Sequence, residues 1–143
     1  MTKALEKEIN EAILAERNTA YLFRKQGDYQ RAEEHYLKAW TLFPDPKFDW
    51  DSSQITIYRI SDFYLEWKKF DEALHWAKLV FKTNPIPSDG TPYVTLGKVY
   101  YEYEKVDLAF EHFKKAYSLA GKRGFEGEDK KYLDFYKKRA AGG

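Results

Sequence analysis

The sequence predicts an all-α fold, a short solenoid of three helix hairpins closed by a C-terminal capping helix, on two observations. The first is a unit of turn, helix and stop that recurs three times. Gly27-Asp28-Tyr29-Gln30-Arg31-Ala32 leads through Tyr36 and Ala39 to Pro44. Phe70-Asp71-Glu72-Ala73 leads through Ala77 to Pro85, and Val106-Asp107-Leu108-Ala109 through Phe113 and Ala116 to Gly121. The second lies upstream of each turn. With Tyr29, Phe70 and Val106 aligned, Ala20, Ser61 and Gly97 coincide nine residues earlier, and Phe23, Tyr64 and Tyr100 six earlier. A small residue beside an aromatic one on the first helix, and small residues on the second, describe two helices that approach closely.

The elements run in order along the chain. Residues 3–26 carry Leu5, Ile9, Ala12, Ile13, Ala20 and Phe23 at helical steps, and read as one long first helix. Gly27 supplies the turn, Asp28 can cap the second helix, and that helix spans 30–43 before Pro44 ends it. The loop 44–51 is stiffened by Pro44 and Pro46, with Phe48 and Trp50 expected to tuck into neighbouring helices. Asp51, Ser52 or Ser53 can cap a third helix reaching Trp67. The fourth runs 71–82 with Ala73, Trp76, Ala77 and Val80 inward, and Asn84 to Gly90 forms an irregular connector. Pro92 suits the first turn of a fifth helix over 91–104, and the sixth spans 107–119. After Gly121 the chain bends into a last helix over 129–138, whose Tyr132, Leu133, Phe135 and Tyr136 form an apolar stripe able to cover the end of the array. Residues 140–143 are expected to be disordered.

By these positions the chain resembles the tetratricopeptide repeat (TPR) family, over about residues 13–121. The spacing between equivalent alanines is 41 and then 36 residues (Ala32, Ala73, Ala109), against the family's period of about 34, with the excess in the inter-repeat loops. The repeats fall at 13–46, 54–87 and 90–121, within one TPR-like domain over 1–139. The usual start of the first helix survives as Leu96-Gly97 in the third repeat alone. Lys68 and Lys105 stand where a turn glycine is expected. The resemblance implies a right-handed solenoid and a protein-binding role. It also implies that first helices line the partner-binding face: Arg17, Tyr21 and Arg24, then Tyr58, Asp62 and Glu66, then Val94, Lys98 and Tyr101. One subset of the family grips a C-terminal carboxylate with Lys and Asn; the corresponding places here hold Arg17, Tyr21, Arg59 and Lys98, a partial pattern. The stretch Gly124 to Leu133 is similar to endings of small bacterial TPR-like proteins encoded beside polymorphic toxins, which implies an immunity-type role against a toxin. A general adaptor or co-chaperone binding a peptide tail is the alternative.

Composition bounds the function. Lys and Arg number 24 against 23 Asp and Glu, a net charge of +1, without the basic excess of a nucleic-acid backbone binder. There is no cysteine, which removes disulfides and thiolate metal sites. The first residues through Arg17 carry charges throughout and no signal-peptide core, and no membrane-spanning run occurs, so a soluble cytoplasmic protein is expected. Aromatics reach 18%, read chiefly as core filler between helices, with Tyr and Trp also suited to interfaces.

No constellation for catalysis emerges, and no cofactor or metal is expected. His35, His75 and His112 all fall on second helices, and His35 and His112 share one repeat position without His-Glu-x-x-His spacing. Glu33-Glu34, Glu6 with Glu8, and Glu126 with Glu128 and Asp129 read as solvated faces. The stretch from Gly124 to Gly127 lacks the strand and Gly-Lys-Ser/Thr ending of a phosphate loop. From Lys122 to Arg139 there are seven basic and four acidic residues interleaved with aromatics. That pattern suits single-stranded nucleic acid, but an amphipathic capping helix kept soluble by lysines accounts for it better.

Overall fold

A computed structural model describes residues 3–142; Met1, Thr2 and Gly143, included in the domain and tail assignments above, lie outside it. Seven α-helices occur among the described residues: α1 (Lys7–Lys25), α2 (Tyr29–Thr41), α3 (Ser53–Glu66), α4 (Phe70–Leu79), α5 (Thr91–Glu102), α6 (Val106–Ala120) and α7 (Lys130–Ala141). Single 3₁₀ turns at Lys47–Asp49, Val80–Thr83 and Gly121–Phe125 complete the order. Each odd-numbered helix from α1 to α5 packs most heavily on the helix that follows it, so the three hairpins form as expected. Helix α7 reaches Ala141, so Ala140 and Ala141 are helical, not disordered.

The small residues sit where helices meet. Ala20, Ala32, Ala39, Ser61, Ala73, Ala77, Ala109 and Ala116 are all fully buried, and the Ser61 hydroxyl donates to Ala73 O across the second hairpin at 3.0 Å. The first hairpin joins the second largely through long side chains. Tyr36 and Tyr29 meet Phe63 with centroids 4.9 and 6.1 Å apart, Trp40 meets Trp76 edge-on at 5.5 Å, and the Tyr64 hydroxyl donates to Glu33 at 2.8 Å. Aromatic filler between helices thus explains the composition: among the described residues only Tyr21 and Phe81 are exposed aromatics.

The turns differ in chemistry. Gly27 takes φ +79°, and Asp28 caps α2 by accepting from Arg31 N at 3.2 Å. The left-handed residues of the next two turns are Lys68 (φ 60°) and Glu104 (φ 62°). Glu104 takes the glycine's place where Lys105 was expected; Lys105 is the N-cap residue at φ −99°. A side chain in this region is disfavoured by Cβ contacts. The following lysine covers the turn in both cases, with Lys69 over Trp67 at 3.8 Å and Lys105 over Tyr103 at 4.5 Å.

The chain's first described residues depart from the expected long helix. Lys3 is extended and makes an isolated parallel bridge with Trp50, donating from Lys3 N to Asp49 O and accepting from Asp51 N, both at 2.8 Å. It pins a loop that is further fixed by Lys47, whose ammonium donates to Trp40 O, Thr41 O and Phe43 O at 3.2, 3.4 and 2.8 Å. These carbonyls lie at and just beyond the end of α2, Trp40 O also accepting from Phe43 N at 3.2 Å, and there a cation meets the negative end of the helix dipole. Ser52 is the N-cap of α3 but makes no capping bond. Ser53 instead bonds the loop, donating to Lys47 O at 2.5 Å and accepting from Trp50 N at 3.2 Å.

Helix α7 closes the array. Its Tyr132 and Phe135 pack on Phe113 at 5.9 and 6.2 Å, and Tyr136 on Tyr117 and Phe110 at 5.1 and 5.6 Å.

Candidate partner-binding groove

Helices α1, α3 and α5 contribute one face, and ion pairs tie it together. Arg24 of α1 donates from Nε to Glu66 of α3 at 3.1 Å and from its Nη atoms to Tyr36 Oη at 3.5 Å and Asp62 O at 3.4 Å. Lys98 of α5, its side chain 7% exposed, donates to Asp62 at 3.0 Å and to Glu128 at 2.7 Å. Burial opposes charge on Lys98 most strongly, yet the two carboxylates outweigh it and raise its proton affinity above the ordinary lysine value. The same balance, with Tyr36 and Glu66 as the compensating groups, raises that of Arg24.

Two adjoining cavities open on this face. The larger, about 670 Å³, lies among α1, α3, α5 and α7, with Arg24, Asp62, Leu65, Glu66, Glu102 and Tyr132 on its walls. The smaller, about 420 Å³, is lined by Leu14, Arg17, Asn18, Tyr21, Tyr36 and Arg59. The bond from Arg24 to Tyr36 stands between them. Arg17 is 9% exposed. Its Nη1 reaches the Thr56 hydroxyl at only 3.5 Å, and its Nε is buried without a partner. Burial, and after it the charge of Arg59, lowers the proton affinity of Arg17. Neither Arg17 nor Arg59 forms an ion pair among the described residues.

The nine residues assigned to the partner face separate into groups. Tyr21, 49% exposed, and Arg17 line the smaller cavity, and Arg24, Asp62 and Glu66 the larger. Tyr58 is half-buried, with its hydroxyl buried and unpartnered. Burial, then the charges of Asp89 and Asp62, pushes that phenol well above its ordinary value. Val94 does not reach solvent: at 1% exposed it belongs to the core with Phe113 and Tyr132. Tyr101 is half-buried, edge-on to Tyr132 and Phe135 of α7 at 5.4 and 5.1 Å. Val94 is the correction, since the core of the third hairpin and its cap buries what an open array would expose. Arg59, Leu65 and Glu102 are wall residues outside the nine; Leu65 and Glu102 sit one repeat apart from Arg24 and Glu66, respectively, which repeat alignment could have found.

The tail and the histidines also resolve. Lys131 pairs with Glu102 at 3.1 Å and Arg139 with Asp107 at 2.6 Å, while Tyr132 is buried and its hydroxyl donates to Glu102 at 3.2 Å. The tail therefore spends its aromatics on packing, and they do not form a stacking platform. His35 and His112 repeat one arrangement, ring on ring with Phe23 at 5.5 Å and Tyr100 at 5.0 Å. His35 Nδ1 also lies 2.6 Å from Glu16, a partner nineteen residues away that local spacing could not reveal. Among the described residues no group of three His, Cys, Asp or Glu could hold a metal ion, and no helix is long and apolar enough to cross a membrane.

Comparison with known proteins places this arrangement. Residues 18–46, the second half of α1 through α2 and the loop's start, match the tetratricopeptide repeat family model. The N-terminal domain of stress-induced protein-1 from C. elegans superposes with a TM-score of 0.66 at 22% identity, covering 93% of this chain and 98% of that one. The fold is that of a tetratricopeptide-type helical repeat. In TPR terms, α1, α3 and α5 are the first helices of three repeats, α2, α4 and α6 the second, and α7 the cap.

Proposed function

We propose that this chain is a non-catalytic protein-binding module that holds a partner segment along the face of α1, α3 and α5. The observation that carries the reading is the pair of adjoining cavities on first helices, one bearing two arginines without an ion pair among the described residues and exposed Leu14 and Tyr21, the other edged by Glu66 and Glu102. A groove with unlike charge at its two ends fixes the direction and register of an extended partner. The partner-binding residues are Arg17, Tyr21, Arg24, Asp62 and Glu66, with Arg59 added. The setting is the cytoplasm, and the partner is a protein.

Within that reading, the resemblance of the tail to endings of small bacterial TPR-like proteins encoded beside polymorphic toxins supports a toxin domain as the partner. The alternative is a general adaptor for a peptide tail. A carboxylate-gripping chaperone receptor is less well supported, because Lys98 already serves Asp62 and Glu128. Co-purification with the product of the neighbouring gene, beside titration with a chaperone C-terminal peptide, separates the two. Glu66→Lys should weaken whichever complex forms about tenfold or more, and Lys78→Glu on exposed α4 should leave it unchanged. Equal binding by both variants would rule out the groove.

A further inference from the structure

We propose that the cavity at Arg17 and Arg59 receives the phosphoryl group of a phosphorylated side chain on the partner segment. The assignment rests on the groove reading for what carries the phosphoryl, and on the cavity itself for the chemistry. Arg17 is nine-tenths buried with an unpartnered Nε, and among the described residues the only bond from its fork is a long one to the Thr56 hydroxyl. Arg59 brings a second guanidinium to the same walls, and no Asp or Glu lines them. Elsewhere on this face Arg24 is answered by Glu66, Lys98 by Asp62 and Glu128, and Lys131 by Glu102, while Lys68 on the wall of the larger cavity is an exposed single cation with Glu66, Asp62 and Asp129 on the same walls.

Arg17 and Arg59 thus bring two positive charges to one small volume with no carboxylate on its walls. A carboxylate brings one charge and two oxygens; a phosphate monoester at neutral pH brings about −1.5 to −2 and three strong acceptor oxygens. Two guanidinium forks, with Asn18 and Tyr21 on the same walls, provide donors enough for three oxygens. Planar forks suit phosphate oxygens in bidentate fashion, which a lysine cannot match. Leu14 and Tyr21, both exposed beside the arginines, offer apolar contact to the residue that bears the group.

The test is titration of the folded protein with phenyl phosphate and, separately, phenylacetate at constant ionic strength, followed by amide chemical shifts. Phenyl phosphate should perturb residues around 14–21 and 59 and bind at least about tenfold more tightly than phenylacetate. Arg59→Gln, on an exposed position that spares the core, should weaken it about tenfold, and Arg17→Lys, which keeps charge but loses the fork, should weaken it too. Equal affinity for phenylacetate, shifts confined to other surfaces, or full binding by Arg59→Gln would overturn the assignment. The titration needs no partner protein. If it fails while Glu66→Lys still disrupts the complex, the phosphoryl assignment falls and the groove reading stands.

Discussion

Gly97 is the position at which the packing can be challenged most directly. It aligns with Ala20 and Ser61, so alanine there looks harmless in the sequence. In the structure a Cβ built on Gly97 would stand 2.5 Å from Phe113 Cδ1, nearer still to Cε1, and 3.0 Å from Cζ. Ordinary carbon contacts need about 3.5–4.0 Å, so the ring would have to move by about 1 Å. It has nowhere to go: Phe113 is fully buried, with Phe125, Tyr132 and Phe135 at 5.5, 5.9 and 6.2 Å. Overpacking of this kind costs about 3 kcal/mol, the upper end of the usual range. Alanine's better helix propensity returns about 1 kcal/mol, leaving a net loss of about 2 kcal/mol for Gly97→Ala. For a chain of this size each kcal/mol lowers the thermal midpoint by roughly 3–5 °C, which circular dichroism at 222 nm resolves easily. Phe113→Leu in the Gly97→Ala background should cost at least about 1 kcal/mol less than it does alone. A Gly97→Ala variant that melts at or above the wild-type temperature would refute the contact and the register of α5 against α6.

Other expectations test other levels. Lys68→Gly and Glu104→Gly each relieve a left-handed side chain and should stabilise by about 0.5–1 kcal/mol after the extra chain entropy of glycine is counted; lower midpoints in urea would contradict the turn assignment. Lys98→Met strands two carboxylates, and because Asp62 and Glu128 keep some water the loss should be about 2–3 kcal/mol. Unchanged urea unfolding would show that this buried ammonium does not bind α3 to the segment before α7. The hydrogen bond from His35 holds the Glu16 carboxyl below its usual range, helped by the charge of Lys38 and opposed by burial. A lowered folded value gives stability that is present above the unfolded value and lost as pH falls through the folded one. Glu16→Gln should therefore be less stable than wild type by about 1–2 kcal/mol at pH 7, and the gap should shrink as pH falls through the lowered folded value of Glu16; a gap undiminished in strong acid would sink the pairing.

What the sequence decided by itself is local and repetitive. Helix periodicity, the small residues at 20, 32, 61, 73, 97 and 109, and the breaks at Gly27, Pro44, Pro85 and Gly121 specify three hairpins and a cap. Each such signal acts within one or two turns of chain, where side-chain size and backbone conformation decide the outcome. Tertiary structure decided the rest, because it depends on groups brought together from 19 to 42 residues apart. Val94 looks like a groove residue until the core of the third hairpin and its cap closes on it. Lys98 looks like a free cation until Asp62 and Glu128 close on it. Arg17 is one basic residue among many until burial strips its water and no carboxylate among the described residues arrives to replace it, and no repeat pattern records that missing partner.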